Sequence, residues 1–441
     1  MRVLVVGSGA REHALCWSLS RNPTVDRLFA APGNAGIAEL ATPVSLAIGD
    51  IPGIIGFAER ESIDLTVVGP EGPLVAGLVD EMQARGMAVF GPTRDAARIE
   101  GSKSWAKHLC RTYGIPAARS ESFVELGPAV DHLRSHDGPY VVKADGLAGG
   151  KGVTVTESRD EATRAVRDCL VDRVFGDSGA TVVIEEYLEG PEVSALGLTD
   201  GRHVLPLALA QDYKRGEDGD RGPNTGGMGA YSPAAFVDDQ GSKRIAEDIL
   251  RATVAAMEQE SVRYCGVLYA GLMLTADGPK VLEFNCRFGD PETQVILPRL
   301  LANLGEVLLA CVEGNLADYE LRWRAEACAG VVLASGGYPG GYETGKVVTG
   351  LAEAAALEDV HVFHAGTTSR GGTVVTSGGR VLTVSALGTG LDEARRRAYQ
   401  ACSLISFDGM RFRTDIAQRI PTLAGSSSQQ AAAGSATGGG S

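Results

Sequence analysis

Two lysines, Lys143 and Lys151, bracket a glycine-rich run, Val141-Val142-Lys143-Ala144-Asp145-Gly146-Leu147-Ala148-Gly149-Gly150-Lys151-Gly152-Val153. Lys143 falls inside an apolar strand pattern, where an unpaired ammonium is costly, so it is expected to reach an anion. A ligand phosphate is the preferred anion and a structural ion pair the alternative. Gly146, Gly149, Gly150 and Gly152 let backbone N–H groups approach polyphosphate with no Cβ in the way, and Lys151 adds charge. The run is not a Walker A loop, because Gly152 stands where that pattern needs Ser or Thr. Much further on, Glu283 and Asn285 stand two apart in Leu282-Glu283-Phe284-Asn285-Cys286-Arg287. On a strand they share one face while Phe284 turns to the core. A carboxylate beside an amide oxygen suits Mg²⁺, which keeps waters and takes further ligands from nucleotide phosphates. A polar sheet face is the competing reading, weakened because Arg287, Asp290 and Glu292 continue the charged cluster. Together the two patterns ask for a metal nucleotide.

Three further stretches carry chemistry. Gly7-Ser8-Gly9-Ala10-Arg11-Glu12 resembles a dinucleotide fingerprint with Glu12 in place of the third glycine. That favours a phosphate at the N-terminus of the following helix, with Arg11 adding charge, over a dinucleotide or a bare tight turn. Asn34 and Gly36, in Pro32-Gly33-Asn34-Ala35-Gly36, and Glu71, in Gly69-Pro70-Glu71-Gly72, follow strands of the same sheet. Each either completes that pocket or is only a turn. Glu185 to Leu188 end a strand whose backbone groups either read an adenine edge, with Glu192 holding ribose hydroxyls, or only finish the sheet. The seven histidines form no catalytic pattern, and His361 and His364 are given a surface or core role. No Gly-x-Ser-x-Gly is present, so a serine nucleophile has no support.

The elements that hold these residues follow from periodicity. Residues 2–6 form an apolar strand, 7–9 a turn and 11–20 a helix, opening an α/β domain. Strands at 28–30, 65–68 and 88–90 complete a parallel sheet, whose loops at the strands' carboxyl ends are where such sheets bind ligands. Ser102 caps a helix that runs to Gly114. Strands at 141–143 and 152–156, a helix at 160–174 and a strand at 181–187 make a small α/β subdomain with a mobile tip. Residues 211–233 are too polar and glycine-rich for regular structure and are expected to be a substrate loop or lid. A helix at 242–258 and strands at 267–274 and 280–285 build a second sheet. Beyond about residue 322, short strands, glycine turns and a helix at 392–405 give a smaller α+β domain.

Length and composition agree with a multidomain globular enzyme. The 441 residues exceed what one core supports, and the chain is 44% hydrophobic and 22% charged. A net charge of −14 excludes nucleic acid as a general partner. No apolar run approaches the roughly 20 residues of a membrane helix, and no signal peptide is recognised, so no membrane partner and a cytoplasmic location are expected. The eight cysteines show no Cys-x-x-Cys spacing and read as small core residues. Residues 425–441 contain only Gly, Ser, Ala, Gln and Thr, and are expected to be a disordered tail.

The motifs above, with Gly222-Pro223-Asn224-Thr225-Gly226-Gly227-Met228-Gly229-Ala230-Tyr231 and Phe288-Gly289-Asp290-Pro291-Glu292, resemble those of the phosphoribosylamine–glycine ligases. These are ATP-grasp enzymes of purine synthesis, and the likeness runs from Met1 to about Leu423. It implies a Rossmann-like N-terminal domain over 1–101 and an ATP-grasp region over 102–320 with a flap at about 117–188. A C-terminal domain over 321–424 would follow. The resemblance implies ATP contacts at Lys103, Lys143, Gly149, Gly150, Lys151, Gly152, Glu185, Leu188 and Glu192. It puts Mg²⁺, with Mn²⁺ as an alternative, on Glu283 and Asn285, and makes Lys143 and Arg287 catalytic. Phosphoribosylamine would meet Gly7, Gly9, Arg11, Asn34, Gly36 and Glu71. Glycine would meet Asp212, Asn224, Thr225, Gly227, Met228 and Arg287. A monomer, with at most weak self-association or transient contact with neighbouring enzymes of the pathway, is expected. Departures from the family pattern, such as Ala10, Gly149, Tyr213 and Cys286, remove no required charge. A different ATP-grasp carboxylate or bicarbonate ligase is the alternative, and an NAD-dependent oxidoreductase a more distant one.

Overall fold

The computed structural model describes residues 1–149, 151–418 and 421. The expectations for Gly150 and for the tail at 425–441 lie outside them. The apolar strand Arg2–Gly7 is the centre of a five-stranded parallel sheet, flanked by Arg27–Pro32 and then Thr42–Pro43 on one side, and by Leu65–Val68 and then Val89–Phe90 on the other. Helix Ala10–Ser20 follows the first strand at once. Strand ends at Gly7, Pro32 and Val68 therefore deliver the loops 7–9, 33–36 and 69–72 to one edge of the sheet.

Helix Lys103–Tyr113 starts where Ser102 accepts from the Trp105 N–H and stops at left-handed Gly114, as the sequence predicts. Beyond it lies a four-stranded antiparallel sheet ordered Ser120–Phe123, Val182–Glu186, Tyr140–Ala144, Val153–Thr156, covered by helices Leu126–Arg134 and Arg159–Leu170. The second helix is shorter than predicted: it ends at Leu170, and Arg173 takes a positive φ of 53° that no helix continues through. This lobe buries its own cluster around Leu133, Tyr140, Val166 and Ile184. The larger sheet, ordered Val204–Pro206, Glu192–Asp200, Cys265–Thr275, Gly278–Asn285, shares its apolar faces with the N-terminal sheet.

Residues 211–233 overturn the expectation of an irregular loop. Arg215–Glu217 and Arg221–Asn224 pair as a hairpin, and Gln211–Asp212 and Gly229–Ser232 join the C-terminal sheet. That sheet runs Gln211–Asp212, Gly229–Ser232, Ala327–Ala334, Arg380–Gly388, Val360–His364, all antiparallel, with helix Leu391–Cys402 packed on it. Strands of two to four residues carry too few alternations to announce themselves. No helix among the described residues is long and apolar enough to cross a membrane. All eight cysteines are free and buried.

Candidate active site

Strand Gly278–Asn285 brings Glu283 and Asn285 onto one face, with Phe284 buried on the other. Burial pushes the Glu283 carboxyl up, yet the charges of Lys214, Lys143, Lys103 and Arg287 outweigh it and hold the group below its ordinary value, so it stays ionised. Asn285 Oδ1 accepts from Arg287 Nη2 at 3.3 Å. The described residues contain no cluster of three His, Cys, Asp or Glu side chains disposed around a metal. Glu283 and Asn285 nevertheless fit Mg²⁺ chemically: both offer oxygen, one is anionic, and water with nucleotide phosphate would complete the shell.

Lys143, on the neighbouring lobe, points at the same strand. Its Nζ donates to the Leu282 carbonyl at 3.0 Å and lies 3.0 Å from Glu185 Oε2. The buried lysine thus has a protein carboxylate as its neighbouring anion. Lys107 Nζ shares the same carboxylate oxygen at 2.9 Å, while Glu185 Oε1 is buried with no hydrogen-bond partner among the described residues. Two ammonium groups on one carboxylate leave an excess positive charge, which suits a phosphate nearby. The sequence marks Lys107 only as one basic residue on the helix that Ser102 caps; the fold turns it inward. Leu188 is buried beyond the strand end and Glu192 opens the next strand.

The root of the glycine run is held in place. Asp145 accepts from Ser104 N at 2.6 Å and Ser102 Oγ at 3.0 Å, which ties the run to the start of the helix that carries Lys103. Lys103 Nζ donates to the Gly146 carbonyl at 3.0 Å, and its basicity is lowered by burial. Gly149 and Lys151 are exposed, and Gly149 takes a φ of 56° that a glycine tolerates without strain. Gly152 is buried and its carbonyl closes the hairpin with Ala144 N at 2.8 Å.

The N-terminal domain meets this cleft at Arg287 and Phe288. Arg287 Nε is 3.3 Å from Glu71 Oε2 and its Nη2 is 3.6 Å from Glu100 Oε1. Burial raises the Glu100 carboxyl, with Arg287 opposing, and the Glu71 carboxyl ends below its usual value, burial being outweighed by Arg287 and Arg11. Arg11 donates to the Phe288 carbonyl at 3.2 Å and to Glu12 Oε1 at 2.6 Å. Glu12 explains the altered fingerprint. Its other oxygen accepts from Gly9 N at 2.6 Å, and a Cβ on Gly7 or Gly69 would collide with its side chain. A carboxylate from the chain itself therefore fills the loop that a dinucleotide would need. Asn34 is likewise engaged: Nδ2 donates to the Ser8 and His364 carbonyls at 2.8 and 2.7 Å, and Oδ1 accepts from Gly36 and Ile37 N–H groups. Gly36 lies so close to the His13 and His364 rings that a side chain there would strike both. Of these residues Glu71 reaches Arg287 and Arg11 reaches Phe288, whereas Asn34 and Gly36 pack against His364.

The candidate glycine loop is fastened to the C-terminal domain. Thr225 Oγ1 donates to the Lys214 carbonyl at 2.9 Å and accepts from Gly227 N at 3.0 Å. Gly226 N donates to Tyr338 Oη at 2.9 Å, and Arg380 donates to the Gly226 carbonyl and pairs with Asp290 Oδ2 at 2.9 Å. Gly227, at a φ of 106°, sits against Pro291, and Met228 is buried, so its side chain belongs to the core. Asn224 pairs with Arg215 in the hairpin. Asp212 is pushed up by burial, with Glu292, Glu192 and Glu283 adding and Lys214 opposing. Lys214, Glu100, Tyr338 and Arg380 were not expected from sequence, since nothing local marks them.

Three family descriptions match in chain order. The Phosphoribosylglycinamide synthetase N domain matches residues 1–100, its ATP-grasp (A) domain 101–293 and its C domain 328–419. The chain belongs to the phosphoribosylglycinamide synthetase family. Within that family, the phosphoribosylamine–glycine ligase of Escherichia coli O157:H7 is 51% identical over 95% of this chain and 98% of its own length. A crystal structure of the Thermotoga maritima phosphoribosylamine–glycine ligase superposes with a TM-score of 0.81 at 35% identity, covering 94% of this chain and all of that one. The biotin carboxylase domain of Hydrogenobacter thermophilus 2-oxoglutarate carboxylase shares the fold, with a TM-score of 0.73 over 93% of this chain and 91% of its own. At 14% identity that likeness is one of fold alone.

Proposed function

We propose that the chain is an ATP-dependent ligase that joins glycine to 5-phosphoribosylamine, giving N1-(5-phosphoribosyl)glycinamide, ADP and phosphate in purine synthesis. The observation that carries this reading is the meeting, along the stretch from Leu282 to Phe288, of the Lys143 lobe, the Glu283/Asn285 pair and the N-terminal Glu71 and Arg11 edge, in a chain of this family. Glycine's carboxylate is a poor electrophile, so its oxygen first attacks the γ-phosphorus of ATP, releasing ADP and forming glycyl phosphate. The ribosylamine nitrogen then attacks that carbonyl carbon; phosphate departs and the nitrogen loses a proton. No protein nucleophile is required.

Lys143 and Arg287 stabilise charge that grows on the transferring phosphoryl and acyl oxygens. Lys103, Lys151, Gly149, Gly150 and Gly152 receive the phosphates, the strand end from Glu185 to Leu188 the adenine, and Glu192 the ribose. Mg²⁺ or Mn²⁺, held by Glu283 and Asn285, would neutralise phosphate charge when bound. Asp212, Asn224, Thr225, Gly227 and Arg287 form the glycine end of the cleft, with Met228 supporting it from the core, and the N-terminal glycine loops with Asn34 and Glu71 the phosphoribosylamine end. Closure of the lobe at 120–186 keeps water from the acyl phosphate. The reading carries with it a cytoplasmic enzyme that acts as a monomer.

A coupled assay of ADP release by the purified protein, with phosphoribosylamine, Mg²⁺ and either glycine, alanine or bicarbonate, tests it. Release should require both glycine and phosphoribosylamine. Alanine should be disfavoured by roughly 10- to 200-fold, the range that one extra methyl group allows. Equal release with bicarbonate would move the chain to the carboxylase-type reading.

A further inference from the structure

Lys214 occupies the two-residue gap between Gln211–Asp212 and Arg215–Glu217. Its ammonium lies 2.7 Å from Glu192 Oε2 and 3.7 Å from Glu283 Oε1. Its carbonyl accepts from Thr225 N and Oγ1 at 2.8 and 2.9 Å. One residue therefore touches the carboxylate read as the ribose contact, the carboxylate read as the metal ligand, and the loop read as the glycine contact. The side chain remains 31% exposed, so it is not sealed into the core.

Both partners have other calls on them. A divalent cation at Glu283 would stand within a few ångströms of an ammonium, and like charges at that distance repel strongly away from bulk water. Ribose hydroxyls at Glu192 would compete for the oxygen that anchors Lys214. We propose that Lys214 is a positioning residue that holds Glu192 and Glu283 in place as a resident counter-cation, disfavours free metal, and yields only when metal arrives together with nucleotide. This rests on the reading of Glu283 and Asn285 as the metal pair. A merely structural ion pair would brace the hairpin without discriminating against a free cation.

The test is binding of Mn²⁺ alone to the full-length protein, followed by electron paramagnetic resonance, in wild type and in Lys214→Met, Lys214→Arg and Glu283→Gln variants. Lys214→Met should bind free Mn²⁺ at least about tenfold more tightly than wild type, because the competing charge is gone. Lys214→Arg should resemble wild type. The gain should vanish in the Lys214→Met/Glu283→Gln double variant, and should shrink when saturating ADP is present. If Lys214→Met does not fold, Lys214→Gln keeps a donor for Glu192 without the charge and reads the same quantity. Free Mn²⁺ affinity of the folded neutral variant within about twofold of wild type, with Glu283→Gln still weakening Mn²⁺–ADP, would overturn the role of Lys214 alone. Unchanged Mn²⁺–ADP binding in Glu283→Gln would instead overturn the metal pair and the proposal with it.

Discussion

Two glycine-rich segments reach the cleft, and the structure treats them differently. The run at 145–152 is anchored at Asp145 and touches Ser178 through Gly146 N and the Leu147 carbonyl; from Gly149 to Lys151 the described residues make only the turn bond from Lys151 N to the Ala148 carbonyl. The segment at 222–229 has as many glycines but is stitched at nearly every residue, to Lys214, Tyr213, Tyr338, Arg380 and Val332. Glycine content is therefore not a measure of mobility. What decides is whether another element supplies partners for the backbone the glycines leave bare. The first segment is suited to closing over phosphates, the second to holding a small substrate in a fixed place.

The largest contrast should appear in turnover. Lys143→Met, at the base of the first segment, should lower kcat by at least about 100-fold, because the charge it removes matters most as phosphoryl transfer proceeds. Steady-state kinetics with the ligand-free melting temperature separate this from misfolding. Activity within twofold of wild type would rule out the role, and a severe loss of Tm without ATP would make the Glu185 ion pair the main purpose of Lys143.

Arg380→Met, which unfastens the second segment from Asp290, should raise KM for glycine by about tenfold and alter KM for ATP little. Equal effects on both substrates would mean that Arg380 merely holds the C-terminal domain in place. Hydrogen exchange sharpens the contrast directly. Amides at 146–152 should slow by about fivefold or more with a nonhydrolysable ATP analogue and Mg²⁺, whereas those at 225–229 should be slow in both states. Equal exchange at 146–152 with and without the analogue defeats the idea of a closing flap.

The smallest effect concerns acid. The C-terminal domain seats on the N-terminal helix through His13, whose Nδ1 accepts from His364 N at 2.7 Å, beside Phe363 and Trp17. Burial, with His364 adding, lowers His13 to about 3, and burial lowers His364 to about 4. An unfolded histidine titrates near 6.5, so between 6.5 and 4 the unfolded chain binds more protons than the folded one. The stability these neutral rings contribute is complete above pH 6.5 and is lost as pH falls, at up to about 1.4 kcal/mol per pH unit per ring. Melting curves from pH 7 to 5 should therefore fall less steeply for His13→Asn, which keeps an acceptor without the titration. Protection at 225–229, taken relative to the intrinsic exchange rate at each pH, should fall with acid while that at 146–152 barely changes. Identical pH slopes in the variant and wild type would remove His13 from the account.

Much of this molecule is legible in its sequence because the signals are local. Ser102 and Gly114 bound their helix through bonds within a single turn, and Glu283 and Asn285 share a face because a strand alternates. The glycine run and the loops after the parallel strands reveal themselves by composition and place in the element order. Tertiary structure alone decided which groups meet. Alternation says that Lys143 is on a strand and not that Glu185 and Lys107 wait for it, because their attraction is set by distance in space and not along the chain. For the same reason Glu12 reads as a flaw in a fingerprint until its carboxylate is seen to fill the loop. The polar stretch at 211–233 offers its short strands no periodicity of their own. It becomes ordered because Ala327–Ala334 presents a sheet edge to Gly229–Ser232, and that is also what carries Lys214 to the cleft.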